Sequence, residues 1–110
     1  MSRSPVDYLH GTLETLILKT LTRGPMHGYA VARWIEGATG EAFPVEEGSL
    51  YPALYRMEKK GWVEAEWGVS ELGRRAKLYR LTRAGRQQLA RDTEAWQTFA
   101  SAVTRVLAKA

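Results

Sequence analysis

The chain contains no cysteine. That excludes disulfides, thiolate nucleophiles and cysteine-ligated zinc together. Histidine is nearly as scarce, with His10 and His27 the only two, so no metal site is expected. No apolar run approaches the roughly 18 residues that a membrane-spanning helix needs, and no membrane partner is expected. Met1-Ser2-Arg3-Ser4-Pro5 lacks the apolar core of a secretory leader, so the expected location is cytoplasmic. Catalytic constellations are absent too. There is no nucleophile–base pair and no metal cluster, and the glycines Gly24 and Gly28 flank Pro25-Met26-His27 without the lysine of a phosphate loop. Neither an enzyme nor a cofactor is expected.

What is present is an ordinary soluble composition, 45% hydrophobic and 25% charged, in 110 residues, enough for one domain. A domain this short buries a modest fraction of its surface, and oligomerisation would add to it. Net charge is +4 with a pI near 9.6, which favours an anionic partner. The charge is unevenly spread. Residues 56–91 hold ten Lys/Arg against four Asp/Glu, while the remainder is slightly acidic. A basic segment of this kind is either a solvated face or a nucleic-acid footprint.

Leu9, Leu13, Leu16, Ile17 and Leu21 form the stripe of an amphipathic helix, ended by Gly24-Pro25. A second helix is expected from His27 to Glu36, with Tyr29, Ala32 and Ile35 inward, followed by a turn at Gly37 and Gly40. Phe43-Pro44-Val45 reads as extended, because the residue before proline is pushed out of the α region. A third helix is expected from Gly48-Ser49, with Ser49 as cap and Pro52 tolerated in the first turn, and Gly61 stops it. Two strands follow, Trp62 to Trp67 and Lys77 to Thr82, with Tyr79 and Leu81 on one face and Arg80 on the other. Thr82 then caps a long closing helix. Helix, helix, helix, hairpin, helix is a mainly α fold with a small β-hairpin, a winged helix-turn-helix with a C-terminal helix added. Residues 1–82 would form the winged unit and 83–110 a dimerisation helix, in one continuous compact body.

On a wheel of about 100° per residue, Leu50, Leu54 and Met57 make a narrow inward stripe on the third helix, and Ser49, Pro52, Tyr55, Arg56 and Lys59 lie on the opposite half. Hydroxyls, rings and cations on such a face suit phosphates, base edges and thymine methyls in a major groove. They would equally suit a surface helix whose tyrosines pack on neighbours, and periodicity does not separate the two. The hairpin tilts the balance, because Arg74, Arg75 and Lys77 supply a basic loop of the kind that reaches an adjacent backbone or minor groove.

In the closing helix Leu89, Trp96 and Val103 recur every seven residues, with Phe99 and Val106 between them and Asp92 interrupting the seam. This stripe either packs on the first helix of its own chain or meets a second copy. Leu18, off the main stripe of the first helix, is a further candidate for the partner contact. His27, at the head of a helix, is expected to cap or pack rather than bind metal.

Four stretches together resemble the PadR family of bacterial transcriptional regulators, of the compact kind with one C-terminal helix. They are Gly11-Thr12-Leu13 with Leu16-Ile17-Leu18, then Pro25-Met26-His27-Gly28-Tyr29, then Gly48-Ser49-Leu50-Tyr51-Pro52-Ala53-Leu54 with Arg56-Met57-Glu58 and Gly61, and finally Arg75 to Gly85. The resemblance implies a repressor that binds double-stranded DNA as a homodimer, with C-terminal helices packed across the two-fold axis. It implies Ser49, Tyr51, Pro52 and Tyr55 in the groove, Arg74, Arg75 and Lys77 on the backbone, and Tyr29 helping to seat the second helix on phosphate. Met57 stands where leucine is common in the family, and Leu78 where a second aromatic is frequent. Some relatives bind planar or phenolic compounds at the dimer interface, so Trp96 and Phe99 are candidates either for a small aromatic effector or for plain interface packing. The rival from another class is a winged-helix protein–protein adaptor using the same core. Affinity for duplex DNA that falls steeply with salt distinguishes the two.

Overall fold

A computed structural model describes residues 5–110, with side chains from Gly11 onward. Leu9 of the first stripe, His10 and the first four residues of the leader reading lie outside the described residues or side chains. The elements are α1 (Pro5–Leu21), β1 (Met26–His27), α2 (Gly28–Ala38), α3 (Glu47–Lys59), β2 (Val63–Val69), β3 (Arg75–Leu81) and α4 (Arg83–Leu107). The strands form one antiparallel sheet in the order β1-β3-β2. This is a winged helix-turn-helix, with a third, two-residue strand beside the expected hairpin.

The core sits where α1, α2 and α3 meet the inner half of the sheet. Leu13, Ile17 and Leu21 of α1, Val31, Ala32 and Ile35 of α2, Leu50, Leu54 and Met57 of α3, and Val63, Tyr79 and Leu81 of the sheet are all buried in it. Leu18 belongs to the same cluster at 0% exposure. It is therefore not available to a partner. Helix α1 packs against α2, α3, α4 and β3, so it buries more of its circumference than a single amphipathic stripe would. Tyr29, expected inward on α2, is 61% exposed, and Val31 takes the inward place. Leu89, expected on the dimer seam, packs instead against its own core, because the first three turns of α4 lie on the chain's own body.

Three junctions position the helices. Gly28 opens α2 at a point where an added Cβ would come within 3.1 Å of the Tyr51 ring and 3.2 Å of Leu54, so glycine lets α2 lie close against α3. His27 lies in β1 and makes no side-chain cap. Its Nδ1 is 3.0 Å from the Lys77 carbonyl. A carbonyl only accepts, so Nδ1 carries the proton and donates, pinning β1 to β3. Buried Glu36 accepts a bond from the Val45 backbone N–H at 2.8 Å and holds the α2–α3 connection.

Helix α3 starts earlier than expected. Its N-cap is Glu46, without a side-chain bond, so Ser49 is a third-position residue and Pro52 lies in the second turn. Pro52 has no N–H for the carbonyl four residues back, which belongs to solvent-exposed Gly48, where water can satisfy it. At the other end Gly61 adopts φ 76°. Its N–H reaches the Glu58 carbonyl and the Trp62 N–H reaches that of Met57, both at 3.0 Å, a paired left-handed C-cap.

Thr82 ties three elements together. Its Oγ1 accepts from the Gly85 N–H at 3.0 Å, as expected of an N-cap. The same hydroxyl donates to the Gly61 carbonyl at 2.6 Å, with the Trp62 carbonyl 3.0 Å away. The helix start is drawn in so tightly that a Cβ on Gly85 would lie 2.1 Å from the Trp62 carbonyl oxygen. Only glycine fits there.

Candidate nucleic-acid interface

The outward half of α3 carries Ser49, Tyr51, Pro52, Tyr55 and Lys59, all exposed. The Tyr51 ring lies over Gly28, where an added Cβ would come within 3.1 Å of it. Tyr55 is 59% exposed, with the Lys59 ammonium 5.1 Å from its ring centre. On α2, Tyr29 stands out similarly, with the Arg33 guanidinium 5.2 Å from its ring centre. Of the three exposed phenols on these two adjoining helices, Tyr29 and Tyr55 thus have a cation beside the ring, an arrangement that offers hydroxyl donors, flat apolar faces and positive charge over one surface.

Arg56 departs from the sequence expectation. Its Nε lies 3.0 Å from Glu14 Oε1, and Lys60 Nζ is 3.9 Å from the other oxygen of the same carboxylate. Glu14 is itself buried, so Arg56 turns back to α1 to neutralise a desolvated charge rather than facing outward. It leaves the outward set.

The wing is longer than read from the sequence. Trp67 and Lys77, placed at the ends of the two strands, are cross-strand partners inside a ladder that continues to Val69 and Arg75. The loop shrinks to residues 70–74. There the Ser70 N–H bonds the Arg74 carbonyl at 2.8 Å, the Gly73 N–H bonds the Ser70 carbonyl at 2.9 Å, and Gly73 takes φ 74°. Arg74 lies in this turn, and its side chain has no ion-pair partner among the described residues.

Strand alternation places Arg75, Lys77, Tyr79 and Leu81 on one face. Its inner half is core, and its outer half projects past α3. The Arg75 guanidinium is 4.4 Å and the Lys77 ammonium 5.5 Å from the Trp67 ring centre. Lys77 Nζ also reaches Glu58 Oε1 on α3 at 3.4 Å, fixing the wing's angle to that helix and partly neutralising Lys77. Tyr79, below it, has its phenol pushed above the ordinary value of 10 by burial, and then by the charges of Glu58 and Tyr51. It remains a neutral hydroxyl at physiological pH.

Sequence reasoning missed Trp67 and Arg33. Trp67 could have been found by pairing the two strands end to end, which sets it opposite Lys77. Arg33 follows from Tyr29 by helical spacing of four once Tyr29 is turned outward.

The far face of the molecule belongs to α4. Thr15 Oγ1 donates to Asp92 Oδ2 at 3.0 Å and Gln88 Nε2 donates to Asp92 Oδ1 at 2.7 Å, so Asp92 is a polar clasp to α1. Beyond it Trp96 and Phe99 touch, ring centres 6.0 Å apart. They border a groove of about 560 Å³ that also includes Phe43, Lys60 and Trp62. Trp96, Phe99, Val103 and Val106 are all exposed. Among the described residues no three potential metal ligands cluster, and no helix is long and apolar enough to cross a membrane.

Comparison with known proteins adds the following. A family model described as the transcriptional regulator PadR-like family matches residues 17–91. The structure of a transcriptional regulator from Clostridium thermocellum superposes with a TM-score of 0.81 at 29% identity, over 90% of this chain and 96% of that one. A PadR-like transcriptional regulator from Bacillus cereus gives 0.78 at 30% identity, over 94% and 99%. The negative transcriptional regulator PadR of Bacillus subtilis is 25% identical over 77 residues, 70% of this chain but only 42% of that protein. The chain thus aligns with less than half of that relative's length.

Proposed function

Because the chain belongs to the PadR-like family of transcriptional regulators, whose members are regulators and not enzymes, we propose that it is a cytoplasmic repressor that binds double-stranded DNA as a homodimer. The observation that carries the proposal is the joint surface of α2, α3 and the wing. Tyr29, Tyr51 and Tyr55 stand exposed there beside Arg33 and Lys59, and Arg74, Arg75 and Lys77 extend the positive charge along the hairpin. Helix α3 occupies the major groove with Ser49, Tyr51, Pro52, Tyr55 and Lys59, and the wing lies along the neighbouring backbone. Repression is supported by the negative regulator of Bacillus subtilis among its relatives.

Dimerisation is supported by the exposed row Trp96, Phe99, Val103 and Val106 on one side of α4. A helix with this apolar row gains by covering it with an identical helix. Residues 83–110 then serve as the dimer arm of the winged unit. A small aromatic effector would enter the groove bordered by Trp96 and Phe99, where rings and the Lys60 ammonium meet.

Two-fold symmetry makes the operator an inverted repeat with half-sites about one helical turn apart or a multiple of it. Footprinting on the DNA upstream of the protein's own gene and its neighbours is expected to reveal such a pair. Binding that is blind to sequence and abolished by competitor DNA would refute the regulator reading.

A further inference from the structure

Helix α3 carries one cation that its own geometry offers to DNA and that the rest of the fold takes away. Arg56 lies about 40° round the helix from Pro52 and about 60° from Lys59, both exposed on the outward face. A change of rotamer would swing its guanidinium towards a phosphate beside the groove. It points the other way. Its Nε lies 3.0 Å from Glu14 Oε1, 42 residues earlier in the chain. The Arg56 side chain is still 38% exposed, against 10% for Glu14, so packing leaves it room to turn and the carboxylate is what holds it. Lys60 is differently placed. Its Nζ is 3.9 Å from Glu14 Oε2 and 4.5 Å from the Trp62 ring centre, so a second contact holds it independently of Glu14.

We propose that Glu14 is a positioning residue for DNA recognition, which withholds Arg56 from the phosphates and so keeps affinity for arbitrary sequence low. This rests on the DNA-binding reading above and adds to it a determinant on α1, a helix outside the surface assigned to DNA. Charge and burial set the preference. Phosphate and carboxylate are both charged acceptors that bind a guanidinium strongly. A desolvated carboxylate that loses its cation is heavily penalised, whereas a phosphate left without Arg56 keeps its counterions and water. Arg56 therefore stays with Glu14 when the protein meets DNA. The effect on specificity follows. A phosphate contact by Arg56 would form on any duplex and raise binding to random DNA. The tie to Glu14 also fixes α3 against α1, and its loss would weaken the base contacts of that helix on the operator alone. Both changes lower the ratio of operator to random affinity, which governs occupancy among the many competing sites of a genome.

The test titrates the full-length protein and its Glu14→Gln variant with the footprinted operator and with random duplex over a range of salt. The neutral amide keeps the shape of the side chain but gives Arg56 a weaker acceptor than phosphate. The salt slope on random DNA is expected to steepen by about 0.9, one further phosphate contact, so the variant's affinity relative to the parent grows about 3.5-fold from roughly 200 to roughly 50 mM salt. The operator-to-random ratio is expected to fall. Glu14→Gln combined with Arg56→Ala is expected to return the slope to the parent value, which loss of a purely structural tie would not do. A slope unchanged in Glu14→Gln, one steepened equally in the double variant, or a ratio that does not fall would overturn the proposal. A second measurement needs no variant. The Arg56 Nε–H, followed by nitrogen-15 NMR, is expected to stay hydrogen-bonded and protected from solvent exchange when either duplex is added, and its release on DNA would overturn the proposal as well. Absence of salt-dependent binding to any duplex would remove the DNA-binding reading and this inference together, whereas salt-dependent binding with an unchanged slope in Glu14→Gln removes only the inference.

Discussion

Replacing Trp96 with alanine separates the chain's own packing from its packing on a second copy. Trp96 is 53% exposed in the single chain, with the remainder covered by the groove and by Phe99. A tryptophan side chain offers roughly 200 Å² to burial, so about 100 Å² per chain is left for a partner. At about 25 cal/mol per Å², that area contributes ~2.5 kcal/mol per chain. Symmetry doubles the loss to ~5 kcal/mol per dimer, between three and four powers of ten in the dimer Kd by order of magnitude. The half already buried acts on the monomer and lowers its own stability by a similar ~2.5 kcal/mol. Sedimentation equilibrium over a dilution series reads the first effect, and thermal melting of the dissociated chain reads the second. Operator affinity should fall wherever the protein is more dilute than the new Kd, although no DNA-facing side chain has changed. A lowered Tm with an unchanged dimer Kd would refute the reasoning. Trp96 would then pack only within its own chain, and an effector slot shared between two copies would fall with it.

Gly85→Ala is expected to prevent stable folding, since its Cβ would lie 2.1 Å from the Trp62 carbonyl oxygen, a clash worth more than about 4 kcal/mol. Gly37→Ala, with open space around the added methyl, should instead stabilise by about 0.5–1 kcal/mol, and thermal melts of the two variants check the contrast. Arg74→Ala with Arg75→Ala should weaken all duplexes alike and reduce the salt slope of binding by about one to two, while Tyr55→Ala should lose on the order of 1–3 kcal/mol of discrimination between operator and random DNA. The reverse pattern in salt titrations would exchange their roles. Arg56→Ala should leave the salt slope unchanged and lower stability by about 1 kcal/mol, because its partner is the buried Glu14 carboxylate and not a phosphate; a slope reduced by a unit would return Arg56 to the DNA-facing set.

Periodicity made the inner half of the fold legible. Leu50, Leu54 and Met57 on α3, Tyr79 and Leu81 on β3 and the Thr82 cap all stand where spacing places them. What eluded it depends on contacts distant in sequence. Leu18 looks off-stripe until α1 is known to be packed on several sides. Tyr29 looks inward until Gly28 brings α2 against Tyr51 and leaves Val31 to fill the core. Arg56 looks outward on a wheel, because no wheel contains Glu14, 42 residues away. The α3 start was displaced for a different reason. Ser49 is a good capping residue, but the helix begins at Glu47 with an N-cap that makes no side-chain bond, so capping preference did not mark the boundary. The wing's ladder outran its pattern because Gly68 pairs with Ala76, and two small residues opposite each other leave no alternation to read.

The break in the α4 heptad acquires a meaning from this. Asp92 occupies a position that a coiled-coil seam would fill with an apolar side chain, and both of its oxygens are used, one by Thr15 of α1 and one by Gln88. A carboxylate committed in this way cannot also lie on an apolar interface between two copies. It therefore marks the point where the helix changes what it packs on. N-terminal to it, Leu89 and Gly85 face the chain's own body. C-terminal to it, Trp96, Val103 and Val106 remain exposed and residues 101–110 have no buried position. A dimer built on α4 should thus draw its apolar contact from the second half of the helix alone. Replacing Leu89 would weaken folding rather than association, opposite to the outcome for Val103, although the two residues share one heptad position.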